Sequence, residues 1–510
     1  MSDEQAPLTT SWLQRHAFGV AVAVVVLLAL AIRARGFGEG GLVHFDEGAY
    51  ACGGLALATM PFSEAIHQGG LSPIIAPPLT FLCIGFVFRC IAIADWVAVL
   101  VPLVAGVVTV GLTAGLARAW FRDTVAAVAS AAFLAATAYH VVYSRLVLSD
   151  GLLLMLLVAA LWAFTRAHAS GRVSWYVLAG AITGLCWNTK YHGLLPIVMY
   201  LVFLVLHPRY ATSASAVAGR RWWKVGVATL IAVVMVIPQA WFVWDDLGLA
   251  AFFAHRAGYL STDELGNAAF AGRCLYRLVP TPILALAVLG VAVAWRRRTD
   301  GDRFLLALCV TCVVLSPWYR PYPRLYLPLV FAVVMAAGRG VKWVGEWVGP
   351  NRQWVPIGIA SLMTAAGAWS AQSVRLDGAG YRLAADRMAE LKLLDGPVLL
   401  ACQDSMRFYL LSRPDFAGQV APVWAPGFRY SDPRWQGRVV VVVDAVYAND
   451  GWLKDFLREG EAKRLAVVAN PVPWVVQVNY VEPILADGEI VVYEVSARRS
   501  TRLPGEGRGV

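Results

Sequence analysis

Charge is what this sequence has least of. Asp, Glu, Lys and Arg make up 15% of its 510 residues, against about 25% in soluble domains. Hydrophobic residues reach 59% and mean hydropathy is +0.61. That composition excludes an ordinary water-soluble fold and predicts a polytopic α-helical membrane protein. Ligand-spaced cysteine is missing as well: the eight cysteines are scattered, and Cys309 and Cys312 form a C-x-x-C inside an apolar run with no second pair, where packing explains them better than metal or redox chemistry. Cys52, Cys274 and Cys402 fall in segments expected outside, where a disulfide is allowed but not demanded. The polar C-terminal part has no glycine-rich phosphate loop, which argues against a nucleotide site there. No internal repeat is visible, nor the inverted repeat of many secondary transporters.

What is present is a series of long apolar runs. The stretch from Ala17 to Ile32 is purely apolar, and others run near 96–117, 124–143, 150–165, 174–187, 191–206, 225–243, 278–295, 304–318, 325–338 and 354–370, which predicts about eleven spans. No small-residue cleavage site follows the first run, so it reads as an uncleaved signal anchor. From residue 372 onward there are 17 Lys/Arg and 17 Asp/Glu, so the whole net charge of +10 belongs to the apolar part. Arg118/Arg122, Arg166/Arg172, Arg209/Arg220/Arg221/Lys224, Arg296/Arg297/Arg298/Arg303 and Arg339/Lys342 are each separated from the next by two apolar runs. All five basic loops then fall on one side, the cytoplasm, and nucleic acid is not needed to explain the charge. Loops holding Asp150, Lys190, residues 244–277 and Pro317–Arg324 face out. The apolar segment 77–93 breaks the alternation, and is expected to lie on the outer leaflet inside a long first outer loop, 34–95. The inner membrane is the expected location, with residues 1–371 as the membrane module. Residues 372–510 alternate short β-branched runs (Val398–Cys402, Val439–Val443, Leu465–Val468, Ile490–Val495) with helical patterns (Tyr381–Leu394, Gly451–Glu459), and predict a small extracytoplasmic α/β domain.

The chemistry-bearing residues cluster in the loops expected outside. Asp46 and Glu47 form an acid pair beside an apolar segment, where desolvation is costly. They read either as solvated loop acids or as a general base that takes a proton from an attacking hydroxyl. Phe45, Tyr50 and glycines at 48, 53 and 54 suggest a packed turn, and His44 reads as a loop histidine. Arg145 and Asp150 could serve as an interfacial anchor and a helix cap, and taken alone that reading is favoured. Lys190 either snorkels or contacts an anionic phosphate. The run Pro317–Pro328, with Arg320, Arg324, Tyr322 and Tyr326, is basic where topology disfavours it, which suits a bound anion, although an aromatic belt accounts for Trp318 and Tyr322.

Taken in order, Asp46-Glu47-Gly-Ala-Tyr50, Pro77-Pro78-Leu79, Ser144-Arg145 with Ser149-Asp150, Thr189-Lys190 with Gly193, and Arg324 with Tyr326 and Pro328 resemble the GT-C membrane glycosyltransferases. The similar families are the dolichyl-phosphate-mannose protein mannosyltransferases and the lipid A aminoarabinose transferases. The match covers about residues 15–340, most clearly the first two hundred. It implies a GT-C fold and inverting transfer, by a single displacement, of a sugar from a polyprenyl-phosphate carrier. By the same resemblance Asp46 is the base with Glu47 as neighbour or substitute, Asp150 orients acceptor or sugar, and Arg145, Lys190 and Arg324, with Tyr50 and Tyr326, hold the donor and its phosphate. One departure is Ala76, where the aminoarabinose transferases often carry a lysine. No cofactor is required by these residues, although the acid pair is able to hold a divalent cation.

A flippase or transporter is the competing class. Transporters place ionisable groups mid-helix, whereas here charges gather at the ends of the runs. A non-catalytic lipid-binding relative and a saccharide ligase or polymerase are further alternatives. The sugar and the acceptor, whether lipid, glycan or protein, are not legible.

Overall fold

Apolar side chains with no water to meet force the backbone to satisfy itself, so nearly all of the membrane part is helix. In the computed structural model, residues 12–68, 77–207, 216–247, 253, 257, 263–318, 322–373, 380–423, 435, 437–448, 450–471 and 487–497 are described. Ala76 and Arg320 lie outside them. The helices are α1 (Trp12–Ala34), α2 (Phe45–Thr59), α3 (Phe62–Gln68), α4 (Leu79–Cys90), α5 (Asp95–Phe121), α6 (Thr124–Ala136), α7 (Ala138–Tyr143), α8 (Ser149–Ser170), α9 (Val173–Thr189), α10 (Leu195–Leu206), α11 (Ala216–Leu247), α12 (Glu264–Leu278), α13 (Thr281–Arg297), α14 (Asp300–Leu315), α15 (Leu327–Val348) and α16 (Trp354–Ser373).

Each expected apolar run contains a helix, but the number of spans is not confirmed. Six helical stretches among the described residues are long and apolar enough to cross, and a seventh if the bent pair α12 and α13 counts as one. Several of the others fall short. The 124–143 run breaks at Thr137, whose extended backbone (ψ 120°) separates α6 from α7, and α10 has 12 residues. Helix α4, also 12 residues, rises only about 18 Å against a hydrocarbon core of about 30 Å. It packs Phe81, Ile84 and Phe88 inward.

The C-terminal part adds α17 (Gly380–Glu390), α18 (Asp404–Leu411) and α19 (Gly451–Glu459) to strands β1 (Val398–Ala401), β2 (Val420–Pro422), β3 (Gly437–Val443), β4 (Lys463–Pro471) and β5 (Asp487–Ala497). Strand order is β2-β1-β3-β5-β4. The first three strands are parallel, and β5 and β4 pair antiparallel. The valines of β3 are buried on both faces, as a central strand covered from two sides requires. Leu399, Val441 and Val443 face a local core with Leu453 and Phe456 of α19. Leu400, Val440 and Val442 face the other way and join Tyr381, Met388 and Phe408 in the core that continues into the membrane helices.

That continuity seats the sheet domain on the segment between α1 and α5. Arg382 donates to the carbonyls of Gly38 (3.1 Å) and Glu39 (2.9 Å) and to Asp95 (3.2 Å). The Tyr409 hydroxyl accepts from the Leu42 backbone N–H (2.9 Å) and donates to Asp95 (2.8 Å). Helix α18 meets α2 so closely that a Cβ on Gly48 would stand 1.9 Å from the Ser405 nitrogen.

Candidate active site

Helix α2 begins where the chain can satisfy its free N–H groups. His44 is the extended N-cap residue, and its ring nitrogen Nδ1 accepts from the Asp46 N–H at 3.1 Å. Glu47 closes the capping box from the other side. Its Oε2 accepts from the backbone N–H groups of Val43 (2.7 Å) and His44 (2.6 Å), and its Oε1 accepts from Val147 (2.6 Å). Glu47 thus ties the start of α2 to the turn before α8, with both oxygens engaged and no exposure. Burial pushes its carboxyl up to about 7, against three N–H donors that pull it down. The adjacent acid faces differently. Asp46 retains 25% side-chain exposure and pairs through Oδ2 with Arg324 Nη1. Burial raises its carboxyl, but Arg324, His44 and Lys190 together outweigh that, and it sits below the ordinary carboxylate range.

Arg324 comes from a 3-10 turn, Pro323–Tyr326, that leads into α15. The Tyr139 hydroxyl donates to the Pro323 carbonyl, and the guanidinium stands 5.5 Å over the Tyr322 ring. Asp150, in the first turn of α8 and 3% exposed, accepts from Lys190 Nζ at 2.5 Å. Its other oxygen, Oδ2, is buried and meets no hydrogen-bond donor among the described residues. Lys190 ends α9. Burial lowers its ammonium below the ordinary lysine range despite the pull of Asp150. The turn after it requires Gly193, because a Cβ there would lie 2.1 Å from backbone atoms of Cys186 and Trp187. The Tyr50 hydroxyl donates to Ser149 Oγ at 3.0 Å, and its ring stacks on Phe81 of α4 at 5.0 Å.

Asp46, Tyr50, Asp150, Lys190 and Arg324 therefore share one site, with His44 at its floor. Two predicted members stand elsewhere. Arg145 turns toward the end of α1, where Nη2 reaches the Gly36 carbonyl at 3.4 Å and it borders a small cavity with Asp95 and Trp96. Tyr326 has its hydroxyl 3.4 Å from the Asn267 carbonyl, and it lines an apolar cavity of about 240 Å³ with Trp187, Tyr191, His192, Leu195 and Cys312. That cavity is bordered by Tyr191 and Leu325, the residues that directly follow Lys190 and Arg324 in the chain. Sequence reading missed His44 as the cap, and it missed Tyr139 and the whole of α18. His44 carried a signal, since a polar residue three before Glu47 fits a capping box; the other two carried none.

Residues 76–244 match the family described as dolichyl-phosphate-mannose-protein mannosyltransferase. The structure superimposes on ArnT from Cupriavidus metallidurans in the apo state with a TM-score of 0.62, at 17% identity, covering 94% of this chain and 99% of that one. The chain has an ArnT-like GT-C fold. The undecaprenyl-phosphate-bound form of the same ArnT matches equally well, over 98% of its chain. The archaeal oligosaccharyltransferase AglB from Archaeoglobus fulgidus, solved with an inhibitory peptide and a dolichol-phosphate, matches at 12% identity with a TM-score of 0.60, over 84% of this chain and 70% of that one. No curated protein matches by sequence. In this fold the Asp46–Arg324 and Asp150–Lys190 pairs stand at the same end of the helices as the segment between α1 and α5 and the sheet domain.

Proposed function

We propose that this protein transfers a sugar from a polyprenyl-phosphate carrier to an acceptor hydroxyl or amine at the outer face of the cytoplasmic membrane. The observation that carries the reading is the paired-charge site whose cations Lys190 and Arg324 directly precede, in the chain, the cavity-lining residues Tyr191 and Leu325. A lipid phosphate presents one apolar chain and one anionic head, and Tyr326 with Trp187 and Leu195 offers the first a wall while Lys190 and Arg324 offer the second its counter-charge. The basic loops at the opposite helix ends support an outer position for this site. The similarity to an ArnT solved with undecaprenyl phosphate supports the same donor class.

In the proposed step, the acceptor oxygen or nitrogen attacks the anomeric carbon and the bond from that carbon to the phosphate oxygen breaks. The electron pair leaves with the polyprenyl phosphate, whose new charge Lys190 and Arg324 stabilise. Asp46 takes the acceptor's proton. Attack from the face opposite the leaving phosphate inverts the anomeric centre. When the donor phosphate draws Arg324 away, Asp46 loses the partner that holds it below the ordinary carboxylate range, and its basicity rises as the donor arrives. Asp150 holds Lys190 in place and has Oδ2 left for a sugar or acceptor hydroxyl. Glu47, with both oxygens on backbone N–H groups, positions Asp46 and takes no proton from substrate.

The test supplies radiolabelled polyprenyl-phosphate sugars to membranes containing wild type or Asp46→Asn. Label that moves to a lipid, glycan or protein with wild type, and is lost by at least about 100-fold in the variant, is the expected result and identifies the acceptor. Equal transfer by both removes Asp46 as the base.

A further inference from the structure

At the other end of α8, three donors from three helices converge. His168 lies in the last turn of α8, His207 is the C-cap residue of α10, and Asp300 opens α14. One donor atom from each lies within 4.8 Å of the other two. His207 Nε2 is 3.2 Å from Asp300 Oδ1, and His168 Nε2 is 3.7 Å from Asp300 Oδ2. Eighteen residues of helix separate His168 from Asp150, about 27 Å, so this cluster has no part in the chemistry at Asp46.

From this convergence we propose a divalent transition-metal site, with Zn²⁺ as its occupant, formed by His168, His207 and Asp300. Donors about 2.05 Å from a tetrahedral zinc stand about 3.3 Å apart, close to the 3.2 Å between His207 and Asp300 Oδ1, with His168 3.7 Å from the other carboxylate oxygen. Two imidazoles and one carboxylate are ligands zinc prefers, and they leave a fourth position for water. The setting fits as well. The two histidine side chains are 10% and 4% exposed while Asp300 is 59% exposed, so the site is walled by protein and reached from solvent through the carboxylate. Phe203 lies edge-on to both imidazoles, at 4.8 and 5.8 Å, and Phe304 edge-on to His168 at 5.8 Å. Those contacts fix the ring planes that a ligand must hold.

Charge favours the metal over a purely ionic cluster. Arg303 already lies 3.3 Å from Asp300 Oδ1. Protonating both imidazoles would set three cations around one carboxylate, two of them buried. Neutral imidazoles bind a metal directly, and a carboxylate has about four acceptor positions, enough for a metal and Arg303 together. The bound ion would tie the ends of α8, α10 and α14 at the face remote from the proposed sugar site.

Direct metal binding decides the matter. Full-length protein without a polyhistidine tag, purified in detergent and stripped with a chelator, is titrated with Zn²⁺ by calorimetry and with Co²⁺ by visible absorption. Expected are one ion per chain at micromolar affinity, visible bands of a four-coordinate Co²⁺, and a higher Tm with zinc. Asp300→Asn, His168→Gln and His207→Gln should each weaken binding at least tenfold and abolish the Tm increase. Asp300→Asn keeps the test open if a buried histidine variant fails to fold, since Asp300 is mostly exposed. No zinc uptake at tens of micromolar, or equal uptake by wild type and Asp300→Asn, overturns the proposal.

Discussion

Asp46 and Arg324 are 278 residues apart in the chain and form a direct ion pair. The arginine keeps the carboxylate ionised, below its ordinary range. Removing it should therefore move the acid limb of the pH–rate profile upward, because Asp46 then titrates nearer an unperturbed carboxylate of about 3.9 or above it. Arg324→Gln is expected to show that shift together with a raised KM for the lipid donor. A raised KM with an unmoved acid limb would separate phosphate binding from tuning of the base.

The pair formed by Asp150 and Lys190 is almost fully buried, so either partner alone is a liability. Lys190→Met should strand the carboxylate and cost about 3–5 kcal/mol of stability. Adding Asp150→Asn to it should recover most of that loss, since no buried charge is left unpaired, while transfer remains abolished. Thermal unfolding and the transfer assay, run on both singles and the double, give the coupling directly. Recovery of activity in the double would show that the pair has no role beyond structure.

Gly48 marks where the sheet domain bears on the site. A methyl group there would press on the backbone of Ser405 and Asp404, at 1.9 and 2.2 Å, and neither is able to rotate away. Gly48→Ala should push α2 and α18 apart, displace Asp46, and reduce both Tm and transfer. Gly272→Ala, with nothing within 4 Å, is the matched control and should leave both nearly unchanged, or slightly improved by helix propensity.

Glu47 makes a prediction about pH and stability. Its folded pKa, about 7, lies above its ordinary value of 4.5. The folded state therefore holds this proton more tightly than the unfolded chain does. The stabilisation is full below about pH 4.5 and is lost as pH rises through about 7. Glu47→Gln should flatten that part of the Tm–pH curve and, by facing an amide N–H group against a backbone donor, cost about 1–3 kcal/mol. An unchanged slope would place the titration on another buried acid, of which Asp444, raised to about 6, is the first to test.

How much of this was legible in the sequence varies by element. The apolar runs located the membrane helices because a bilayer demands internal backbone pairing wherever side chains are apolar. The β-branched runs located β1, β3, β4 and β5, and Gly451–Glu459 emerged as a helix with the expected bounds. The three-residue β2 escaped, being too short for a period to register, and α18 escaped because eight residues scarcely exceed two turns. The span count depended on length near a threshold, and breaks such as Thr137 come from packing that local sequence does not encode.

Residue types at the site were also legible, because acids and cations beside apolar runs are costly and stand out against them. Their pairing was not. Asp46 and Glu47 are neighbours in sequence, yet one faces Arg324 while the other is spent on backbone N–H groups. That division follows from the phase of α2 and the path of the turn before α8. Arg145 and Asp150 are five residues apart and meet different partners, the Gly36 carbonyl and Lys190, for the same reason. His168, His207 and Asp300 give no sequence signal at all, at separations of 39 and 93 residues. Composition and local pattern determined which segments are helix or strand and which residues are chemically expensive. Only the tertiary structure decided which of those residues meet, because burial and pairing depend on contacts that no local period carries.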